Sequence, residues 1–214
     1  MLDFKGAIFD LDGTIIDSLS VWEDIDRKFF EKRNIIMPLD YISKVNSMSF
    51  EDSVICTIER FNLKESKEDI IRELNEMVIY EYSYNIKLKP NVKEYLRKLK
   101  KNNIKIGLAT MSSKDLYEPV LKNNKIYDYF DTFTTIKEVG KDKNHPDVYL
   151  LAAKRLGLNP CECIGFEDIL IGINTLKKAG FKAIGVYDKY SVENLEEIKR
   201  SCDKFINDFK ELLD

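Results

Sequence analysis

Apolar runs of strand length alternate with helix-like segments over most of this sequence. The runs are residues 6–11, Ile104–Ala109, Cys163–Phe166 and Phe181–Tyr187. The helix-like segments are Val92–Lys101, Asp115–Asn123, Val148–Leu156 and Ile169–Ala179. Strands that alternate with helices in this way pair in parallel, because each helix carries the chain back across the sheet. The sequence therefore predicts an α/β fold with helices on both faces of a parallel sheet.

Residues 15–87 interrupt the alternation. They are rich in helix formers and carry apolar residues at helical spacing, among them Ile70, Leu74 and Val78. A stretch of this length is too long for a loop between two strands. We predict a core formed by residues 1–14 and 88–214, with a helical domain inserted at 15–87.

The composition narrows the class of partner. The chain has 34 basic and 37 acidic residues, a formal net charge of −3 and 44% hydrophobic residues. Nucleic acids and anionic membranes are disfavoured as partners, because the chain lacks a basic excess. No apolar run approaches the ~20 residues of a membrane span, and the first residues do not resemble a secretion signal. We expect a cytoplasmic protein of open oligomeric state.

Two acids follow the first strand, in the string Phe9-Asp10-Leu11-Asp12-Gly13-Thr14. A spacing of two residues sends both side chains toward one side, at the carboxyl edge where α/β proteins bind ligands. One carboxylate can attack a phosphoryl group while the other protonates the leaving oxygen and later activates water. Asp10 and Asp12 suit these two roles. A solvated Asp-Gly turn would explain Asp12-Gly13 alone, but the complete string favours catalysis.

A second acidic pair, Glu167-Asp168, ends another predicted strand. Together with Asp10, these carboxylates would form the oxygen-rich site that Mg²⁺ prefers. For Asp168 alone, a helix N-cap is an equally ordinary explanation. The position of the pair at a second strand end favours metal binding.

Hydroxyl groups and lysines follow in two further segments. Thr110 and Ser112 lie between a predicted strand and a helix, where hydroxyls and free N–H groups suit phosphate oxygens. Simple helix capping would explain these hydroxyls equally well. The segment Gly140–Asp147 carries Lys141 and Lys143, either of which would neutralise phosphoryl oxygens. A solvated charged loop is the common alternative for such a run.

With these segments in this order, the chain resembles the haloacid dehalogenase superfamily, in the branch with a helical cap inserted after the first strand. The resemblance covers essentially the whole sequence. The Asp10–Thr14 string with Asp17 is its most specific part, and Glu167-Asp168 with Gly172 and Ala179-Gly180 comes next. It implies a Rossmann-like core and a mobile cap whose closure excludes water.

The resemblance also implies roles for individual residues. Asp10 is the expected nucleophile and metal ligand, and Asp12 the expected acid/base that also gives its backbone carbonyl to magnesium. Thr110 is expected to hold the phosphoryl group. Asp168 is expected to bind the metal directly, and Glu167 directly or through water.

The resemblance assigns the catalytic lysine and the substrate-binding residues less clearly. Family members carry a lysine four residues before the aspartate of a Pro-Asp pair, which favours Lys143, while Lys141 follows the glycine that often precedes that lysine. The expected substrate-binding residues are Thr14, Ser18, Trp22 and Ser112. Ser18, Trp22 and Asp26 are expected one turn apart on the helix that enters the cap, although Trp22 could equally belong to the cap's own core.

The function expected from these features is magnesium-dependent hydrolysis of a small phosphate monoester through an aspartyl phosphate. Dehalogenation is disfavoured, because halide leaves without the proton that Asp12 would supply. The principal alternative is a phosphosugar mutase resembling β-phosphoglucomutase, although Trp22 occupies the position where the mutases carry a histidine. The alternative of another class is a non-catalytic domain that binds a phosphorylated ligand.

Overall fold

The protein contains one six-stranded parallel sheet, in a computed structural model that describes residues 4–45, 48 and 50–213. The strands are β1 (Gly6–Phe9), β2 (Lys105–Thr110), β3 (Thr132–Thr135), β4 (Cys163–Glu167), β5 (Lys182–Val186) and β6 (Lys204–Ile206). Their order is β3-β2-β1-β4-β5-β6, and every neighbouring pair is parallel. The α/β fold predicted from the sequence is confirmed.

Ten helices accompany the sheet in the described part of the chain. They are α1 (Val21–Lys32), α2 (Tyr41–Val45), α3 (Phe50–Phe61), α4 (Lys67–Tyr84), α5 (Val92–Lys101), α6 (Lys114–Asn123), α7 (Ile136–Val139), α8 (Asp147–Leu156), α9 (Leu170–Lys178) and α10 (Leu195–Ser201). The four helices predicted between strands correspond to α5, α6, α8 and α9, with ends that differ by one residue at most. None of the described helices is long and apolar enough to cross a membrane.

Successive residues of β1 pack on opposite faces of the sheet, as strand geometry requires. Ile8 belongs to a buried cluster with Tyr149 of α8 and Ile173 of α9. Phe9 stacks on Phe166 of β4 at 4.3 Å between ring centroids, and it contacts aromatic rings from α5 and from the C-terminal helical turn 209–212. Helices therefore cover both faces, so that β1 and β4 lie in the centre of the core.

The chain divides into two compact units, Met1–Leu19 with Ile86–Asp214 and Ser20–Asn85. The second unit lies slightly inside the inserted domain predicted at 15–87. The difference arises because two short segments pair with each other in the sheet-bearing unit: Asp17 N donates to Lys87 O at 3.0 Å, and Lys89 N donates to Ile15 O at 2.8 Å. Residues 1–3 and 214 of the predicted core, and 46, 47 and 49 of the predicted insertion, lie outside the described residues.

The unit Ser20–Asn85 contains helices α1 to α4. Its core includes Ile25 and Phe29 of α1, Val54 of α3, and Ile70 and Leu74 of α4, all of them buried. These positions recur every three or four residues along each helix, which gives the apolar stripe that packs one helix against the next. The helical spacing noted in the sequence at 70–78 is therefore the buried face of α4.

Two edge strands, β3 and β6, were not predicted from the sequence. The strand β3 reads Thr-Phe-Thr-Thr, and β6 has only three residues. Neither has the continuous apolar run that marks a strand buried on both faces. Their pairing depends on the neighbouring strands β2 and β5, which the local sequence does not reveal.

The aromatic cluster predicts the effect of a substitution at Phe209. This side chain is 1% exposed, and its ring lies within 6.3 Å of the rings of Phe9, Tyr95 and Phe166. We expect Phe209→Ala to lower the free energy of unfolding by about 3–5 kcal/mol, because it removes a buried ring and leaves a cavity. The unfolding temperature should fall by roughly 6–20 °C.

Differential scanning calorimetry checks this expectation. Val192→Ala is the control, since Val192 is 48% exposed and its truncation should change stability by less than about 0.5 kcal/mol. Equal unfolding temperatures for the parent and Phe209→Ala would contradict the packing described for the C-terminal turn.

Candidate active site

The acidic strand ends predicted from the sequence meet at one edge of the sheet. The strand β1 lies between β2 and β4, with Phe9 opposite Leu108 on one side and opposite Phe166 on the other. All three strands run in parallel, so the residues that follow them emerge together. Asp10 N donates to Phe166 O at 3.0 Å, which holds the end of β1 against β4.

A compact turn after β1 folds the chain back on this edge. Leu11 O accepts hydrogen bonds from the backbone N–H groups of Ile15 at 2.9 Å and Ile16 at 3.1 Å. Gly13 has φ +77°, in the left-handed region that glycine adopts at little cost. The turn buries Thr14, whose hydroxyl donates to Asp168 Oδ1 at 3.1 Å and approaches Asp10 Oδ2 at 3.4 Å. In this structure Thr14 holds two carboxylates, and its predicted contact with the substrate stays a prediction.

Asp10, Glu167 and Asp168 form a buried carboxylate cluster. Each offers one oxygen, and these oxygens lie within 4.8 Å of one another. Their exposed fractions are 5%, 0% and 2%. Burial raises the pKa of all three, since each ionised carboxylate loses water and repels another. The predicted meeting of Asp10 with Glu167-Asp168 is thus present in the structure.

Lys143 is the cation of the cluster. Its ammonium donates to Glu167 Oε1 at 2.6 Å and to Asp10 Oδ1, and its side chain is 4% exposed. Burial alone would lower the pKa of Lys143, but Asp10 and Glu167 outweigh that effect and raise it. Lys141 is exposed and pairs with Asp147 Oδ1 at 2.9 Å. Of the two lysines considered from the sequence, Lys143 is the one that reaches the carboxylates.

The donor set fits a hard divalent cation. Ionisation of all three carboxylates beside one ammonium would leave a net negative charge in a buried place, which a cation would offset. Glu167 Oε2 is buried without a hydrogen-bond partner among the described residues, so it has a lone pair to offer. All the donors are oxygens, the ligands that Mg²⁺ and Ca²⁺ take. Asp10, Glu167 and Asp168 can therefore hold a metal ion.

Asp12 lies outside this carboxylate cluster. It is only partly buried, and its two carboxylate oxygens accept hydrogen bonds from Ser18 Oγ and Ser112 Oγ, both at 2.7 Å. Two acids two residues apart thus have different surroundings: Asp10 faces an ammonium, and Asp12 faces two hydroxyls. Ser18 and Ser112, predicted as substrate contacts, orient Asp12 in this structure.

Three other predicted residues occupy distinct places. Thr110 is buried, and its hydroxyl oxygen accepts a hydrogen bond from Ser112 N at 2.9 Å. Ser18 precedes α1, which begins at Val21, so the expectation that it shares a helix with Trp22 and Asp26 was wrong. Trp22 belongs to the helical unit and is 43% exposed, which contradicts the alternative that it forms the core of that unit.

Two site residues were missed by the sequence analysis. Tyr149 donates to Glu167 Oε1 at 2.6 Å, and Ser191 donates to Asp168 Oδ2 at 3.1 Å. Burial is the main cause that raises the pKa of the Tyr149 phenol, and the charge of Glu167 is the second. The phenol therefore keeps its proton and stays a hydrogen-bond donor. In the sequence, Tyr149 looks like the other apolar residues of α8, and Ser191 lies in a loop that carries no motif. Only the fold shows that both touch the acidic pair.

Comparisons with known proteins show that the chain is similar to enzymes that act on phosphate esters. The family model described as "Haloacid dehalogenase-like hydrolase" matches residues 7–186. The sequence is 31% identical to YhcW, a candidate phosphatase of Bacillus subtilis (strain 168), over 86% of this chain and 84% of that protein. It is 30% identical to the β-phosphoglucomutase of the same strain, over 85% and 83% of the two chains.

A further relative and a solved structure agree with these matches. The chain is 26% identical to the phosphorylated carbohydrates phosphatase of Thermotoga maritima, over 84% of this chain and 83% of that protein. The crystal structure of a candidate β-phosphoglucomutase from Thermotoga maritima superposes with a TM-score of 0.86 at 25% identity, covering 98% of this chain and 96% of the other.

The turn after β1 predicts the effect of a methyl group at Gly13. A Cβ atom there would lie 2.5 Å from Asp168 Oδ2, at a φ that disfavours side chains. We expect Gly13→Ala to lower the free energy of unfolding by about 1–3 kcal/mol through strain, with a further loss from the clash. Gly140→Ala is the matched control, because Gly140 has φ +66° and no atom within 4 Å of the added methyl.

Thermal unfolding of both variants separates two costs. Both variants carry backbone strain, and only Gly13→Ala adds the clash with Asp168. The Gly13 variant should unfold at a clearly lower temperature than the Gly140 variant. Equal falls in unfolding temperature would mean that the closeness of Asp168 to Gly13 adds nothing to the cost of the methyl group.

Proposed function

The chain belongs to the haloacid dehalogenase-like hydrolases, and from that premise we propose that it is a phosphatase that transfers the phosphoryl group of a small phosphate monoester first to Asp10 and then to water. One observation carries the proposal most strongly. Asp10 and Asp12 lie at the same strand end, yet the first is paired with a buried ammonium and the second is held by two hydroxyls. Two chemically different carboxylates are what this reaction requires.

In the first step, a carboxylate oxygen of Asp10 attacks phosphorus and the bond from phosphorus to the ester oxygen breaks. Protonated Asp12 gives its proton to the departing oxygen, which leaves as an alcohol. Ser18 and Ser112 fix the direction of the Asp12 carboxyl group during this transfer. The predicted contact of Thr110 with the phosphoryl oxygens belongs to the same step.

In the second step, water attacks the phosphorus of the aspartyl phosphate and gives its proton to Asp12. The bond between phosphorus and Asp10 breaks, which restores the Asp10 carboxylate and releases inorganic phosphate. Lys143 remains beside Asp10 and Glu167 throughout, so its charge is in place whenever negative charge accumulates on the transferred group.

Magnesium is the proposed cofactor, held by Asp10, Glu167 and Asp168 together with the backbone carbonyl of Asp12. When bound, it would supply the positive charge that lets a phosphate dianion approach a carboxylate nucleophile. The orphan oxygen of Glu167 and the excess of carboxylates over ammonium groups support this assignment. Tyr149 and Ser191 would hold the two acids in position for the ion.

The substrate we propose is a phosphosugar or a similar phosphorylated metabolite. The support comes from the relatives, one named a phosphorylated carbohydrates phosphatase and another a β-phosphoglucomutase. We further propose that the helical unit Ser20–Asn85 acts as a cap that excludes water and selects the organic part of the ester.

A phosphosugar mutase remains the second candidate, because a β-phosphoglucomutase is among the relatives at 30% identity. Transfer to a sugar hydroxyl requires a group that removes its proton. The position that carries a histidine in the mutases falls on Trp22, and an indole N–H does not exchange a proton near neutral pH. The chain has one histidine, His145, which lies in the loop before α8. Water is therefore the proposed acceptor.

Asp10→Asn is expected to abolish turnover and preserve the fold, because the amide keeps the shape of the side chain but cannot attack phosphorus. The release of phosphate from p-nitrophenyl phosphate measures the activity, and circular dichroism checks the fold. Asp128→Asn, at an exposed position, is the control and should keep parental activity. Residual activity of Asp10→Asn within about tenfold of the parent, roughly 1.4 kcal/mol in barrier, would exclude Asp10 as the nucleophile.

Turnover is expected to require Mg²⁺ and to stop when a chelator is added. Magnesium should also raise the unfolding temperature without substrate, because it binds only the folded site. Asp168→Asn should lose both effects, whereas Glu196→Gln, which removes an exposed ion pair with Lys199, should keep both. An unchanged magnesium response in Asp168→Asn would refute the proposed metal site.

The products distinguish the phosphatase from the mutase. We expect incubation with β-glucose 1-phosphate, Mg²⁺ and a bisphosphate primer to release inorganic phosphate and to accumulate no glucose 6-phosphate, since water is the acceptor. Enzymatic assays of both products from one reaction measure the ratio. Faster formation of glucose 6-phosphate than of free phosphate would favour the mutase.

A further inference from the structure

The helical unit contains a pocket of its own, separate from the carboxylate cluster. Its cavity volume is about 260 Å³, and all of its described lining residues lie within Ser20–Asn85. This volume is just below the ~300 Å³ at which pockets for drug-sized molecules begin. The pocket is therefore large enough for a small organic group only.

One charged side chain, Asp26, faces this pocket among the residues that the structure describes. Neither a hydrogen bond nor an ion pair joins its carboxylate to another described side chain. The hydroxyls nearby are already used: Ser53 Oγ donates to Phe50 O, and Thr57 Oγ1 donates to Ser53 O, both at 2.7 Å. Burial is the main cause that raises the pKa of Asp26 to about 6, and the charge of Glu23 is the second. Among the described residues, the pocket thus contains an acid without a hydrogen-bond or ion-pair partner.

Aromatic rings form much of the remaining wall. Trp22 and Phe50 are 43% and 39% exposed and pack edge to face at 6.4 Å, while Phe29 and Tyr41 are buried. The faces of aromatic rings attract cations, and the attraction grows when the cation loses water. Further apolar surface of the lining comes from Ile25, Val45, Met48, Val54, Ile70 and Leu74.

From this combination we propose that the pocket binds a small organic cation, a primary or quaternary ammonium group, with Asp26 as its counterion and the aromatic side chains as its walls. A carbohydrate fits less well, because its hydroxyls would be buried against walls that are mostly apolar. Besides the carboxylate, the described polar groups of the walls are the hydroxyls of Tyr41, Ser53 and Thr57, which already hydrogen-bond to each other or to backbone carbonyls. A divalent metal ion needs about six oxygen ligands, and the described residues of this pocket supply one carboxylate. A purely apolar ligand would leave the carboxylate buried without a partner.

The inference can be tested in the full chain, independently of catalysis. Trp22 is the only tryptophan of the sequence and lines the pocket, so its fluorescence reports occupancy directly. Choline is the probe, 3,3-dimethylbutan-1-ol its uncharged counterpart of the same shape, and sodium chloride the control for ionic strength. We expect choline to give a saturable change in fluorescence, and the uncharged alcohol to bind at least about tenfold more weakly.

Asp26→Asn should weaken choline binding by at least about tenfold, since it removes the counterion and keeps the shape. Asp24→Asn, on the same helix but paired with Arg27 and 47% exposed, should bind choline like the parent. Without ligand, the unfolding temperature of Asp26→Asn should equal or exceed that of the parent, because an unpaired, partly buried charge is removed. A clear fall in that temperature would show that Asp26 is structural and would overturn the proposal.

Two further outcomes would also overturn it: no saturable response to choline in the parent, or equal binding of choline and the alcohol.

Discussion

The ammonium of Lys143 between Asp10 and Glu167 is the contact on which the site depends. It joins a side chain from the loop before α8 to the ends of β1 and β4, and all three groups are buried. Removal of one partner from a buried ion pair commonly costs about 3–5 kcal/mol, because the other charge is left without compensation. The site therefore tolerates the repulsion among three carboxylates because the charge of this lysine offsets part of it.

Hydroxyl groups extend this arrangement outward. Thr14 links Asp10 to Asp168, Tyr149 donates to Glu167, and Ser191 donates to Asp168. Each donor stabilises the ionised form of its carboxylate without adding charge. The acids are thereby fixed in direction before any ligand binds, which is the condition for strong electrostatic stabilisation of a reacting group.

The sequence predicted the parts of the protein that depend on local pattern. The central strands β1 and β4 are continuous apolar runs that end in acids, so both the fold and the neighbouring positions of Asp10 and Asp168 followed from them. The short edge strand β6 has no such run. Tyr149 and Ser191 were missed because their contacts join segments far apart in sequence.

Other differences have equally specific causes. The start of α1 was placed too early because a spacing of four residues from Ser18 to Trp22 is compatible with a helix. In the structure Ser18 lies outside regular secondary structure, a turn follows at Leu19 and Ser20, and α1 begins at Val21. The choice between Lys141 and Lys143 could not be settled from motif spacing alone. It depends on which ammonium is buried, and burial is a property of the folded chain.

The pairing of residues 15–17 with 87–89 has an evolutionary consequence. This isolated antiparallel bridge brings the entry and the exit of the insertion side by side, through hydrogen bonds from Asp17 N to Lys87 O and from Lys89 N to Ile15 O. The entropy of closing a loop grows only slowly with its length once its ends are held together. An insertion of another length or sequence can therefore replace residues 20–85 without stretching the sheet, so this part of the chain can change while the sheet edge that carries the carboxylates stays constant.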